Sequence, residues 1–290
     1  MQLTLAPLQE WLEPAPQPFL KWAGGKSQLL PQMTPFLPKH FQNYHEPFLG
    51  GAALFWHLFD LRRRGEITFQ DSYLSDANPE LINCYLQVRD DVANLITELA
   101  QLRNNHCPET YYRVRDLEVK RLTPLQRATR FIYLNKTCYN GLYRVNRDGK
   151  FNVPMGRYHN PRIFDEEQLR QNSQALQSAH IECRDFRTVL ERAQPGDFVY
   201  FDPPYAPLSP TSNFTSYTAG EFGVAAQREL AEVFRQLDRR GCYVMLSNSW
   251  CDFTLALYRD FHCVELKATR AINSQPSGRG KISELLVCNY

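Results

Sequence analysis

The 290-residue sequence predicts an α/β protein, an open sheet into which a helical segment and a β-hairpin are inserted. Three observations carry that expectation. A strand from Tyr44 to Phe48 runs through the turn Leu49-Gly50-Gly51-Ala52 into a helix with Leu54, Phe55, Leu58 and Leu61 on one face. From Pro79 to Asn135 the pattern is helical with no intervening strand, which an α/β sheet does not ordinarily accommodate unless a subdomain is inserted. The apolar run Val199-Tyr200-Phe201 is closed by Asp202-Pro203-Pro204-Tyr205, the form of a buried strand ending in a stiff, extended turn.

Taken in order, Met1 to Pro18 carries four prolines and lacks a basic start followed by an apolar core, so it reads as a loose leader and not a signal peptide. Phe19-Leu20-Lys21-Trp22-Ala23-Gly24-Gly25-Lys26-Ser27 contains Gly-Gly-Lys-Ser. A P-loop is excluded, because Leu20 stands where its first glycine is required and no strand precedes it. Trp22 and Lys26 offer a stacking face and a charge beside glycines that allow close backbone approach. The strand, glycine turn and helix around Gly50 form the first unit of a nucleotide-binding fold, and the helix ends in Arg62-Arg63-Arg64, where cations suit its dipole. The next strand, Tyr73-Leu74-Ser75, ends at Asp76. This acid lies 26 residues past Gly50, near the distance at which such folds place a carboxylate on ribose hydroxyls; a helix cap ahead of Pro79 is the competing reading.

The inserted helices are expected at Leu81 to Val88, Val92 to Leu102, Tyr111 to Leu122 and Pro124 to Leu134. A hairpin follows, with Val145 and Phe151 flanking Asn146-Arg147-Asp148-Gly149-Lys150. Arg144, Arg147, Lys150, Arg157 and Arg162 are interleaved with Tyr139, Tyr143, Phe151 and Tyr158, a mixture suited to phosphate contacts, base-edge readout and wedging into a stack. The sheet then resumes with a helix from Glu166 to Ala179, the strand Ile181-Glu182-Cys183 and the pair Asp185-Phe186. After the Asp202 strand come a polar loop from Phe214 to Gly223, a helix with Leu230, Val233, Phe234 and Leu237 on its core face, and strands at Tyr243 to Leu246, Val264 to Ala271 and Ile282 to Cys288. Gln275 to Lys281 is expected to be an exposed loop.

Composition narrows the setting. With 43% hydrophobic and 13% aromatic residues the chain can bury a sizeable core, and no apolar run reaches the roughly 18 residues of a membrane helix. The eight cysteines are scattered without a Cys-x-x-Cys pair, which argues against a zinc site or disulfide framework and for a reducing, cytoplasmic setting. Tyr111 to Arg170 holds 13 Lys plus Arg against 6 Asp plus Glu, a net +7 that leaves −5 for the rest of a +2 chain. A basic middle between acidic flanks suits one segment facing a polyanion.

The Asp202 turn has its own chemistry. A carboxylate and the carbonyl of Pro203 can accept both hydrogens of one planar –NH2 group while Tyr205 stacks on the attached ring. At this point the chain resembles the adenine-N6 DNA methyltransferases of the Dam type. The resemblance runs from about Phe19 to the C-terminus. It rests on Phe19-Leu20-Lys21-Trp22-Ala23-Gly24-Gly25-Lys26, Pro47-Phe48-Leu49-Gly50-Gly51, Tyr139-Asn140-Gly141-Leu142, Phe151-Asn152-Val153-Pro154, Gly156-Arg157-Tyr158 and Asp202-Pro203-Pro204-Tyr205-Ala206-Pro207-Leu208-Ser209. Ala52 departs from it, standing where the family often has a glycine; alanine is expected to cost little space.

The resemblance implies a Rossmann-like S-adenosylmethionine-dependent methyltransferase sheet (19–76 and 165–290) with a target-recognition domain at 77–164 and a leader at 1–18. It implies that Trp22, Lys26, Phe48, Gly50, Asp76, Asp185, Phe186 and Asp202 line the S-adenosylmethionine pocket. Lys21, Tyr139, Asn140, Arg144, Pro154, Arg157 and Tyr158 would meet double-stranded DNA, the Tyr139–Asn140 pair filling the gap left by a flipped adenine and Arg144 reading a guanine of GATC. Asp202, Pro203 and Tyr205 would be the catalytic set for direct methyl transfer. No metal, membrane or obligate protein partner is expected, and a monomer associated with the nucleoid is. An RNA-adenine or cytosine-N4 enzyme, or a DNA-binding module without catalysis, remain the alternatives.

Overall fold

The computed structural model describes residues 14–206, 222–269 and 281–290. Seven strands form one sheet: β1 (Tyr44–Glu46), β2 (Ser72–Asp76), β3 (Ala179–Cys183), β4 (Phe198–Phe201), β5 (Tyr243–Ser249), β6 (His262–Thr269) and β7 (Lys281–Cys288). Their order is β3-β2-β1-β4-β5-β7-β6, parallel except for β7, which runs antiparallel between β5 and β6. This is a Rossmann-like sheet with a reversed strand near one edge. The order turns back on itself between β1 and β4, so their carboxyl ends border the crevice where such sheets take ligands.

The helices are α1 (Leu30–Met33), α2 (Ala53–Arg63), α3 (Pro79–Asp90), α4 (Val92–Asn104), α5 (Pro108–Arg115), α6 (Pro124–Thr137), α7 (Glu166–Leu176), α8 (Val189–Arg192), α9 (Val224–Arg240) and α10 (Asp252–Leu257). The alternation of side chains along the strands builds two cores. Tyr200, Met245 and Leu286 point into a larger cluster with α2, α3, α4, α6 and α7, whereas Val199, Phe201, Val244, Leu246, Leu285 and Val287 face α8, α9 and α10. The inserted helices therefore share one apolar core with the sheet.

Local chemistry sets the boundaries. Asn78, not Asp76, caps α3, its Oδ1 accepting from the Glu80 and Leu81 N–H groups with Pro79 at the first helical position. Thr123 and Gln126 form a complete capping box at the start of α6. The helix expected over Tyr111 to Leu122 instead begins at Pro108, ends at Arg115 and resumes as one 3₁₀ turn, Val119–Arg121, because Glu118 is extended. The helix expected to reach Ala179 stops at Leu176, since Ala179 already pairs with Ser72 in β3. The first strand stops at Glu46, short of Phe48, and α10 had no counterpart in the sequence reading. The hairpin consists of a single bridge, Val145 to Phe151, closed by Asn146 and by Gly149 at φ +74°.

The end of the leader is pinned, not loose: the Gln17 carbonyl accepts from Asn172 and Gln168 of α7, and Phe19 and Leu20 are buried. The expected polar loop to residue 221 and the loop from Gln275 to Gly280 lie outside the described residues. Among the described residues no helix is long and apolar enough to cross a membrane.

Candidate active site

The site begins at the carboxyl end of β1. Past Glu46 the chain turns through Gly50 (φ +47°) and Ala52 (φ +54°) into α2. Gly50 lies directly under Trp22: a Cβ there would come within 2.8 Å of the indole Cδ1, so only glycine lets the turn close on the ring. Trp22 is itself backed by Phe131 and Tyr143. The Gly50 N–H donates to Asp76 Oδ2 (3.1 Å), the Asn78 N–H donates to Asp76 Oδ1 (2.9 Å), and Tyr85 of α3 donates its hydroxyl to the Gly50 carbonyl (3.0 Å). Burial pushes the Asp76 carboxyl up to about 6, against the pull of those two N–H donors. Beneath the turn, burial also drives the Glu46 carboxyl well above the usual range while it accepts from the Tyr44 hydroxyl (2.9 Å).

At the end of β4, Asp202 carries the second carboxylate. Burial raises its pKa and the Lys26 ammonium, 2.8 Å away, opposes that rise. Lys26 is itself buried and lies 4.6 Å from the centroid of the Tyr205 ring. The turn after Asp202 is clamped from three sides. Asn248 Oδ1 accepts from the Ala206 N–H (3.0 Å), Gln227 of α9 donates to the Pro204 carbonyl (2.8 Å), and Asn248 Nδ2 donates to Gln227 Oε1 (2.9 Å). Ser249 donates to the Ala206 carbonyl (2.6 Å), and Tyr205 donates its hydroxyl to Glu284 of β7 (2.6 Å). Pro203 is buried, and among the described residues no donor engages its carbonyl.

The sequence-selected residues fall into contacting groups near the carboxyl ends of the parallel strands. Gly50 meets Trp22 on one side and Asp76 on the other, Lys26 joins Asp202 and Tyr205, and Phe48 stacks on Phe186 with ring centroids 5.3 Å apart. Asp185, exposed beside Phe186, caps the short 3₁₀ helix that follows and pairs with Arg187 (2.7 Å). The structure adds Asn248, Gln227, Glu284, Tyr85 and Glu46, none of which stands in a motif. Their only sequence signal is a polar residue inside an otherwise apolar strand or helix, as with Asn248 after Val244-Met245-Leu246.

A second group gathers on the insert. Lys21 Nζ lies 3.4 Å from the Tyr158 hydroxyl and 4.4 Å from its ring centroid. The Tyr139 N–H donates to the Pro154 carbonyl (2.9 Å), and the Gly156 N–H donates to the Thr137 carbonyl (2.8 Å). Tyr139 and Asn140 are exposed, Asn140 at φ +56°. Arg144 donates to Asn152 Oδ1 across the hairpin (2.8 Å), and Arg157 is exposed next to Tyr158. Nearby, burial and the charges of Lys21 and Arg162 pull the Lys136 ammonium down to about 8.

A family model described as D12 class N6 adenine-specific DNA methyltransferase matches residues 22–272. The chain is 45% identical over 291 residues to a Type II methyltransferase of Methanocaldococcus jannaschii, covering 94% of this chain and 99% of that one. It is 42% identical over 280 residues to a Type II methyltransferase of Lactococcus lactis subsp. cremoris, covering 94% and 95%. It is 38% identical over 271 residues to the DNA adenine methylase of Escherichia coli strain K12, covering 92% and 93%. Because the match takes in the glycine turn, the inserted helices and the Asp202 turn together, the chain belongs to the D12 class of N6 adenine-specific DNA methyltransferases, enzymes that use S-adenosylmethionine.

Proposed function

We propose that this enzyme methylates the adenine of GATC in duplex DNA after flipping the base out of the helix, with the recognition domain at 77–164 reading the sequence. The observation that carries the catalytic part is the clamped Asp202 turn, which sets a carboxylate, a carbonyl that no donor among the described residues engages and an aromatic ring together at the switch point of the sheet. An adenine inside a duplex cannot bring its N6 to a second substrate, so it leaves the stack at a cost of a few kcal/mol.

The crevice fits the cofactor. The glycine turn is closed on Trp22 at the start of a helix whose first N–H groups have no side-chain cap and can take a ligand carboxylate, while Asp76, Asp202 and the Phe48–Phe186 pair offer acceptors and an aromatic face to a cationic adenosine derivative. Trp22, Lys26, Phe48, Gly50, Asp76, Asp185, Phe186 and Asp202 would hold it, and when bound it supplies an electrophilic methyl on a sulfonium. Asp202 and the Pro203 carbonyl accept the two N6 hydrogens and keep the nitrogen lone pair aimed outward, while Tyr205 stacks on the base. Lys26, 2.8 Å from Asp202, opposes the rise that desolvation imposes on the carboxyl and so favours its accepting form. Positioning of this kind accounts for up to roughly 7–11 kcal/mol of a barrier. The N6 proton becomes acidic only after transfer, so no base is needed beforehand.

The recognition part follows Tyr139-Asn140-Gly141-Leu142-Tyr143-Arg144. Exposed Tyr139 and Asn140 fill the vacated place in the stack, and Arg144, steadied by Asn152, pairs with guanine O6 and N7. Lys21, Pro154, Arg157 and Tyr158 border the same face. Transfer of tritiated methyl from S-adenosylmethionine to duplexes with GATC or a scrambled site, followed by nucleoside analysis, tests this reading. N6-methyladenine from the GATC duplex alone is expected; equal labelling of both duplexes would discard the GATC assignment.

A further inference from the structure

Asn135 joins two segments assigned above to DNA, and it does so from inside the protein. It lies near the end of α6 with 0% exposure, and each polar atom of its side chain is engaged. Oδ1 accepts from the Lys21 backbone N–H (2.8 Å), while Nδ2 donates to the carbonyls of Lys21 (2.7 Å) and Gly141 (3.2 Å). The amide thus gives Lys21 the donor and acceptor that a neighbouring strand would give. Gly141 completes the joint: it sits at φ +65°, and a Cβ there would lie 2.6 Å from Lys21 Cδ. The Lys21 stem therefore lies across Gly141, and its ammonium reaches Tyr158. A buried amide is unfavourable in a helix unless fully bonded. What it adds over an apolar side chain here is register between two loops far apart in sequence.

We infer that Asn135 is a positioning residue for sequence recognition: it locks the Lys21 backbone to the Tyr139-Asn140-Gly141 turn, so that Lys21 and the Tyr139–Asn140 pair engage DNA as one unit. The inference rests on the DNA roles proposed for those residues. Among the described residues the hydrogen bonds of the Asn135 side chain all go to Lys21 and Gly141, none to a side chain of the proposed catalytic set.

The test uses Asn135→Asp, which is nearly isosteric, keeps the acceptor for the Lys21 N–H and removes both N–H donors. The methylated sequence is first read from DNA modified by the parent enzyme, so that the outcome does not depend on GATC. Methyl transfer to that sequence and to its single-base variants is then measured, with S-adenosylmethionine affinity by calorimetry and Tm as controls. Discrimination is expected to fall about tenfold through a raised KM for the cognate duplex, with cofactor affinity held; Tm falls, because a carboxyl oxygen now faces the Lys21 and Gly141 carbonyls, so transfer is measured well below it. Gly141→Ala, which displaces the Lys21 stem and leaves the amide intact, is expected to do the same and decides the matter if Asn135→Asp does not fold. In a Lys21→Ala background Asn135→Asp should add little. Unchanged discrimination, or turnover lost equally on every duplex in step with Tm, overturns the inference. If Lys21→Ala itself discriminates like the parent, it is the DNA role of Lys21 that fails.

Discussion

The proposed catalytic corner and the proposed recognition face are built on opposite plans. Around Asp202 nearly every polar side chain is already engaged within the protein: Lys26 with Asp202, Tyr205 with Glu284, Asn248 with Gln227 and the turn itself. On the insert, Tyr139, Asn140, Arg147 and Arg157 are exposed, and among the described residues the Arg144 side chain is steadied by Asn152 alone. The difference teaches where the folding energy goes. Chemistry needs groups fixed before the substrate arrives, because misplacement by an ångström can cost a hundredfold. Recognition needs groups whose partners are supplied by the nucleic acid, and a cation satisfied inside the protein would have to be released first.

The comparison breaks most visibly at Asp202. Asp202→Ala is expected to lower methyl transfer by at least about 10³-fold, while calorimetric S-adenosylmethionine binding and gel-shift DNA binding largely survive. Turnover near the parent level would remove Asp202 from the chemistry. Asn248→Ala tests the clamp behind it. With the Ala206 N–H and Gln227 released, kcat should drop on the order of 10²-fold with KM for DNA little changed. A rise in KM alone would show that the clamp serves binding. On the opposite face, Arg144→Ala should relax sequence choice by about 1–3 kcal/mol and leave single-turnover rates on saturating cognate DNA nearly intact. Equal discrimination among single-base variants would refute the assignment.

A smaller effect separates the corner's two carboxylates from ordinary surface acids. The Asp76 carboxyl titrates near 6 in the fold against an ordinary value of 3.8, so the folded state holds its proton more tightly than the unfolded chain. Its contribution to stability is therefore present below 3.8 and is lost as pH rises through about 6. After allowance for solvent around a half-buried carboxyl, the loss is about 1 kcal/mol. Thermal melts of the ligand-free protein between pH 4 and pH 7 should show a shallower loss in Asp76→Asn than in the parent. Identical slopes would place the proton elsewhere.

How much of this was legible in the sequence follows the same division. All seven strands were readable at least in part from short stretches rich in aromatic and β-branched residues, most plainly Val199-Tyr200-Phe201, which Asp202 and two prolines close. The Asp202 turn and the glycine turn were readable in the same way. The antiparallel placement of β7 was not, since pairing partners are chosen by packing over long sequence distances. Nor were Glu284, Gln227 and Asn248, whose roles exist only once β5, β7 and α9 have come together. Asp76 shows the limit most plainly. Its position ahead of Pro79 suits a cap for α3, but Asn78 holds that place, and the Asp76 carboxylate spans two turns instead.

Ala52 provides the finest test. The alanine was expected to matter only through its volume, yet the backbone puts it at φ +54°, the left-handed region that costs a residue with a Cβ about 1–2 kcal/mol. Asn140 on the recognition face has nearly the same φ, +56°, but asparagine tolerates that region. Glycine at 52 removes the strain, loses one buried methyl and adds freedom to the unfolded chain, and the last two terms offset much of the gain. Ala52→Gly should therefore stabilise the protein by about 0.5 kcal/mol, a rise in Tm of roughly 1–2 °C, whereas Asn140→Gly should leave stability unchanged or slightly lower it. If both substitutions shift Tm equally, the left-handed turn is not strained at Ala52, and the cost of fixing the proposed catalytic corner in advance lies in its half-buried carboxylates instead.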